Sequence, residues 1–231
     1  MHCAAWVKRM STGLATVAVL ASVALGPVAA ADDAPSGYLT AAQIDAVTAA
    51  MTDAGIPASE QTGLIITLDA GKAVESQIGS SIPVSTFTEQ RAGRTRTVSV
   101  FSDGSRRWVE QQTPTREKGF STQSIDPRRS ECSYGGGWFT NCKIAISDIV
   151  STASFRVDYA ADKVRDYRGA GCNNSVGSCS VSGGIKRPTA GSEGPAWAEM
   201  EFHANVGPIA NVASGAFGIR VEGPWVSLYG S

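Results

Sequence analysis

The chain has 231 residues, and its 20 basic and 21 acidic side chains give a formal net charge of −1 at neutral pH. A balance this close to neutral argues against a nucleic acid or an anionic membrane as the partner of the protein as a whole. The length suits one large domain or two small ones with a substantial hydrophobic core.

Residues 1–31 have the pattern of a signal peptide. Two basic residues, Lys8 and Arg9, precede an apolar run at 14–26, and small residues follow this run. The run is too short to cross a bilayer as an ordinary helix. We expect the mature chain to begin within a residue of Asp32, with 18 basic and 21 acidic side chains and a net charge of −3. The mature protein is expected to be secreted and extracellular, a monomer, and without a membrane anchor.

Four cysteines remain after this cleavage, and an even number in an exported chain favours two disulfides. Three pairings are possible. The favoured pairing joins Cys132 to Cys142 and Cys172 to Cys179, since each pair flanks a Gly- or Asn-rich segment that can turn back on itself. A metal site is the alternative, but these spacings differ from the short C-x₂₋₄-C pairs of zinc sites. The sequence has no phosphate-binding loop or dinucleotide fingerprint either, so we expect no cofactor and no metal.

Two helices are predicted at the start of the mature chain. In residues 39–57, Thr40 and Gln43 can form a capping box, and a Gly-Ile-Pro sequence stops the helix. Residues 59–72 favour a second helix with Ser59 as its N-cap, although a β-branched run within it also fits a strand.

Residues 84–112 predict a three-stranded meander, because Asp103-Gly104 between two alternating segments is a strong signal for a tight hairpin turn. With the helices, the meander makes residues 32–112 a small α+β region. Its arginines shield the sheet edges or, less simply, form a patch for an acidic partner. They are Arg91, Arg94, Arg96, Arg106 and Arg107.

Residues 113–131 are polar, contain two prolines and lack periodicity, which indicates a linker or long surface loop. Residues 132–231 contain short alternating segments separated by Gly, Asn and Ser, which predict an antiparallel β-sandwich stapled by disulfides. The fold class is thus mainly β. The predicted strands are 143–150, 153–160, 163–168, 178–183, 196–206, 214–223 and 225–230.

The strand at 196–206 alternates strictly between apolar and polar side chains. Successive side chains of a strand point to opposite faces, so one parity predicts the core and the other the outside. The core set is Ala196, Ala198, Met200, Phe202, Ala204 and Val206, and the outward set is Trp197, Glu199, Glu201, His203 and Asn205.

The outward carboxylates and imidazole raise the possibility of catalysis. A triad around His203 would need a nucleophile motif such as G-x-S-x-G, and the sequence has none. Glu199 and Glu201 are spaced like the two catalytic carboxylates of a glycosidase. However, two side chains on the same face of one strand point the same way and cannot flank the scissile glycosidic bond. Ion pairing of either glutamate with Arg220 on the next strand is the simpler interpretation.

The outward Trp197, together with Trp225 and Tyr229, can form an aromatic platform for a sugar or a peptide. Trp225 can instead close the core of the last hairpin. The loop at 172–179, if closed by a disulfide, is either a simple staple or a rigid recognition loop of a protease inhibitor.

Several short stretches resemble a loose group of secreted actinobacterial proteins for which no activity is established. The stretches are "LDAGKAVES", "IPVST", "VFSDGSRRWVE", "GPAWAEMEF" and a last strand that contains tryptophan. The resemblance implies a secreted, cysteine-stapled architecture and assigns no functional residue.

The leading functional hypothesis is a secreted non-catalytic binding protein that acts at or beyond the cell envelope on a polysaccharide or protein ligand. Its candidate ligand-binding residues are Trp197, Glu199, Glu201, His203, Trp225 and Tyr229, with no catalytic residue assigned. The alternatives are a hydrolase of envelope polymers acting through Glu199, Glu201 or His203, and an inhibitor of an extracellular protease.

Overall fold

The computed structural model describes residues 37–91, 93–116, 132–206 and 209–230, without the side chains of 115–116, 206 and 209–213. The predicted signal peptide and residues 117–131 of the predicted linker lie outside the described residues.

The two predicted helices are present as α1 (Ala41–Asp53) and α2 (Ala58–Asp69). The capping box of α1 is confirmed: Thr40 Oγ1 accepts from the Gln43 backbone N–H, and Gln43 Oε1 accepts from the Thr40 N–H. Ser59 is not the N-cap of α2, because the helix begins at Ala58 and its N-cap is Pro57, two residues before the predicted one. Proline suits a helix start because its ring fixes φ and its missing N–H would have no helical partner there.

The predicted meander is formed by β1 (Ser85–Arg91), β2 (Arg94–Val100) and β3 (Arg106–Gln112), each antiparallel to the next. The hairpin between β2 and β3 lies where Asp103-Gly104 predicts it. An Asp-Gly hairpin favours a primed turn with positive φ at both residues, but here only Gly104 has a positive φ, of +83°, and Asp103 is not among the described residues with positive φ.

Nine strands follow the meander in the described residues: β4 (Thr115–Arg116), β5 (Ser133–Gly135), β6 (Trp138–Asp148), β7 (Ser151–Ala160), β8 (Lys163–Asn174), β9 (Cys179–Arg187), β10 (Ala196–Val206), β11 (Ile209–Glu222) and β12 (Trp225–Gly230). Sheet A contains the meander and β4–β8. In it β3 pairs with β6, β7 and β8 follow on the far side of β6, β5 pairs with the start of β6, and a short parallel pairing joins β4 to β5. Sheet B has the antiparallel order β12-β11-β10-β9.

The protein is mainly β, as predicted, with two sheets that pack as a sandwich. β10 and β12 have the predicted bounds, the other predicted strands of this region (β6, β7, β8, β9 and β11) are longer than predicted, and β4 and β5 were not predicted. Sheet A also crosses the predicted linker, because β3 from the meander pairs with β6.

The main core lies between the sheets. Phe217 of sheet B packs beside Phe202 and opposite Phe155 of sheet A, with ring centroids 6.3 and 5.6 Å apart. A second cluster packs α1 and α2 against the opposite face of the meander, around Val98 and Trp108. The helices cover only this face of the meander. The other face, which includes Val109, is turned toward sheet B.

The described residues contain two disulfides, and these have the favoured pairing. Cys132–Cys142 joins the residue before β5 to β6, and Cys172–Cys179 joins β8 of sheet A to β9 of sheet B. Neither of the described helices is long and apolar enough to cross a membrane.

Candidate functional site

The outward face of β10 forms the centre of the candidate site. The predicted alternation is confirmed: Ala198, Met200 and Phe202 are buried, while Glu201 and His203 between and beyond them are exposed. We call this surface, with the outward residues of the neighbouring strands, the outer face of sheet B.

Three side chains from three strands meet on this face. The rings of Trp197 and Tyr229 lie 6.4 Å apart between centroids, and the Arg220 guanidinium lies 5.8 Å from the first and 4.4 Å from the second. The predicted ion pair of Arg220 with Glu199 or Glu201 is wrong. The register sets Arg220 opposite Trp197, so its cation contacts aromatic faces instead.

The Tyr229 hydroxyl donates a hydrogen bond of 2.8 Å to Glu199 Oε2. The tyrosine reaches across Gly218, where a Cβ would lie only 2.8 Å from the Tyr229 hydroxyl. Burial, with the hydrogen bond and the charge of Glu199, raises the pKa of Tyr229 well above its usual range. The phenol therefore stays protonated and holds Glu199 in one position.

Lys186 joins the two glutamates. Its ammonium lies 3.5 Å from Glu199 Oε1 and 3.7 Å from Glu201 Oε1. The register between β9 and β10 shifts near Trp197, and Lys186 is the extra residue on β9. Sequence reasoning missed Lys186, because the alternation within β9 gives no sign of this bulge.

The other two candidates stand apart from this cluster. The Trp225 side chain is 77% exposed on β12, four residues before Tyr229, which is roughly 13 Å at the rise of a strand. It does not close the core. His203 is exposed, and its imidazole makes no hydrogen bond or ion pair with any described residue.

The chemistry of this face is that of a recognition surface. It combines fixed aromatic rings, a guanidinium, an ammonium and two carboxylates, all on one side of one sheet. In the part of the chain that the structure describes, no group of three or more His, Cys, Asp or Glu side chains could hold a metal ion.

The meander arginines divide between its two faces. On the helix side, Arg96 pairs with Asp53 of α1 at 3.2 Å, and Arg106 donates to the Ala54 carbonyl at 2.8 Å. Arg91 and Arg94 also have polar partners. Arg91, Arg96 and Arg106 dock the end of α1 on the sheet, and Arg94 pairs with Glu110 within the meander, which together favour the structural interpretation of the arginine cluster. Arg107 is on the opposite face.

Comparison with protein-family models, with curated proteins and with solved structures gives no match to this chain. The resemblance to secreted actinobacterial proteins therefore stays a prediction.

Proposed function

We propose that this protein is secreted and acts as a non-catalytic binding protein at or beyond the cell envelope, with a polysaccharide as its ligand. The observation that carries the proposal is the outer face of sheet B, which holds the paired rings of Trp197 and Tyr229 and, farther along β12, the 77% exposed Trp225. A large exposed aromatic side chain loses apolar hydration when a ligand covers it, and such exposure is typical of contact surfaces.

The polar groups around the rings support a sugar ligand. Arg220, Glu199 and Lys186 place donors and acceptors within one patch, where they can bind the hydroxyl groups of a sugar while the rings stack on its apolar face. Because these groups already contact one another, little side-chain entropy is lost when a ligand binds.

The contacts of the two glutamates favour binding over hydrolysis. A glycosidase needs carboxyl groups on opposite sides of the scissile bond. Glu199 and Glu201 instead lie on one face of one strand, bridged by the same ammonium group.

Export is supported by the N-terminal pattern of Lys8, Arg9 and the apolar run, and by the two disulfides. Mass spectrometry of the protein recovered from culture medium, after thiol labelling, tests this part. We expect a first residue within one position of Asp32 and no labelled cysteine. Two or more labelled cysteines in the native exported protein would contradict the disulfides.

Co-sedimentation with insoluble cellulose, chitin and peptidoglycan tests the ligand class. We expect the wild type to bind at least one of them, and Trp225→Ala and Trp197→Ala to lower the affinity about tenfold or more. Trp138→Ala is the matched control, since this tryptophan lies on sheet A under Arg165, 3.8 Å from its ring centroid. Equal binding by wild type and both outer-face variants would disprove the platform, and binding to none of the three would disprove the ligand class tested.

A further inference from the structure

A cleft of about 270 Å³ lies between the meander and the last strand, away from the helices. Thr86, Ser99 and Arg107 line one wall, and Leu228 and Gly230 of β12 belong to the other. The volume is just below the range of about 300–1,000 Å³ that is usual for drug-sized ligands, so the cleft suits a single sugar-sized ring.

Strand register brings the polar groups of the cleft together. Thr86 of β1 lies opposite Ser99 of β2, and Ser99 lies opposite Arg107 of β3. Directly paired residues share one face of a sheet, so two hydroxyl groups and a guanidinium form a row across three strands. Neither of the hydroxyls makes a hydrogen bond with a described residue.

Arg107 differs from the other meander arginines in its contacts. Its guanidinium lies 5.3 Å from the Phe101 ring centroid but has no hydrogen bond or ion pair among the described residues. Burial lowers its pKa, yet an arginine stays protonated at neutral pH. A half-buried cation therefore lines the cleft with its donors unused.

Asp148 lies directly opposite Arg107 in the sheet, since the two are paired across β3 and β6. Its Oδ1 already accepts from the Val150 and Ser151 N–H groups at 2.7 and 2.9 Å. Asp148 attracts Arg107 through space without contacting it. The charge of Asp148 also weakens the positive potential that Arg107 gives the cleft. The cleft therefore suits a ligand with one negative charge better than a ligand with two.

We propose that this cleft binds a carboxylate carried by a sugar-sized, hydroxylated molecule, with a hexuronic acid such as glucuronate as the representative ligand. Arg107 binds the carboxylate through two parallel N–H···O bonds, the arrangement that its planar fork favours. Ser99 and Thr86 bind hydroxyl groups of the same ring. The site goes beyond the proposed function, since it needs neither the exposed tryptophans nor a polymer.

Titration of the isotope-labelled full mature protein, followed by amide NMR shifts, tests the site. The probes are glucuronate, glucose and glucose 6-phosphate. We expect saturable shifts with glucuronate at the amides of Ser99 and Arg107, and affinity at least about tenfold weaker for glucose, which lacks the charge. R107Q should lose about tenfold or more of the glucuronate affinity, while R165Q, a change at an exposed arginine on β8, should keep it.

The wild-type titration keeps the proposal falsifiable even if R107Q does not fold. Absence of saturable shifts with glucuronate would overturn the site, and so would equal affinity for glucose. Tighter binding of glucose 6-phosphate than of glucuronate would overturn the choice of a single negative charge. Loss of polysaccharide binding in Trp225→Ala with unchanged glucuronate shifts would separate this site from the outer face of sheet B.

Discussion

Tyr229 and Glu199 are joined by a 2.8 Å hydrogen bond, although they lie two strands apart in sheet B. The bond depends on Gly218 between them, since any side chain there would meet the tyrosine. It ties the last strand to the centre of the candidate binding surface. The hydrogen bond that positions the Tyr229 ring therefore also stabilises sheet B.

Tyr229→Phe should lower the free energy of unfolding by about 1–2 kcal/mol, because it removes a hydrogen bond to a charged group. Urea denaturation measures the change. Tyr134→Phe is the matched control: its ring packs on Phe139, and its hydroxyl has no hydrogen bond among the described residues. This control should change stability by less than about 0.5 kcal/mol. Equal losses in the two variants would mean that the bond to Glu199 contributes nothing.

The two faces of β10 should respond differently to truncation. Phe202 is 6% exposed, so Phe202→Ala should leave a cavity and cost about 3–5 kcal/mol. Glu201→Ala removes one exposed ion pair with Lys186 and should cost under about 1 kcal/mol. His203→Ala should stay within about 0.5 kcal/mol. Chemical denaturation of the three variants would contradict the described register if Glu201→Ala were the most damaging.

Arg96 should matter more to stability than its neighbour Arg94, although both pair with Glu110. The Arg96 side chain is 7% exposed, and it also reaches Asp53 and Glu89. Arg96→Ala removes a buried guanidinium that contacts three carboxylates and leaves Glu110 paired only with the half-exposed Arg94, so it should cost about 1.5–3 kcal/mol. The Arg94 side chain is 45% exposed, so Arg94→Ala should cost under about 1 kcal/mol. Thermal and urea unfolding of both variants measure the difference, and similar losses would show that α1 is not docked through Arg96.

Asp148 should make stability depend on pH. Burial raises its pKa to about 6, against the bonds from Val150 and Ser151 and the charge of Arg107. Because the folded pKa exceeds the unfolded value of 3.8, the folded state favours the protonated form. The contribution of Asp148 is therefore full below about pH 4 and is lost as the pH rises to about 6.

Asp148→Asn cannot ionise, so its stability relative to wild type should rise by about 2–3 kcal/mol between pH 4 and pH 7. Denaturation curves across this interval measure the change. Asp45→Asn, at an exposed position on α1, serves as control and should show no comparable trend. A constant difference between Asp148→Asn and wild type would contradict the raised pKa.

Local pattern was enough to determine several features of this protein. The alternation in residues 196–206 predicts the buried Met200 and the exposed Glu201, because side-chain direction in a strand depends only on parity. The Thr40–Gln43 capping box involves groups three residues apart, so the sequence contains it whole. Each cysteine pair is also close along the chain, and the nearest partners are the ones that bond.

Tertiary structure alone decided which strands become neighbours and what their side chains meet. Lys186 reaches Glu199 and Glu201 only because β9 bulges where it pairs with β10. Arg220 lies against Tyr229 because the register, which no single strand encodes, sets the two strands in place. Nothing in the local sequence separates Arg107 from the other meander arginines. It differs because it points away from the helices, which cover one face of β3, and into the cleft on the opposite face. The alternation along a strand determines which side chains share a face, but long-range packing determines what covers that face. The outer face of sheet B and the cleft beside Arg107 both depend on this packing.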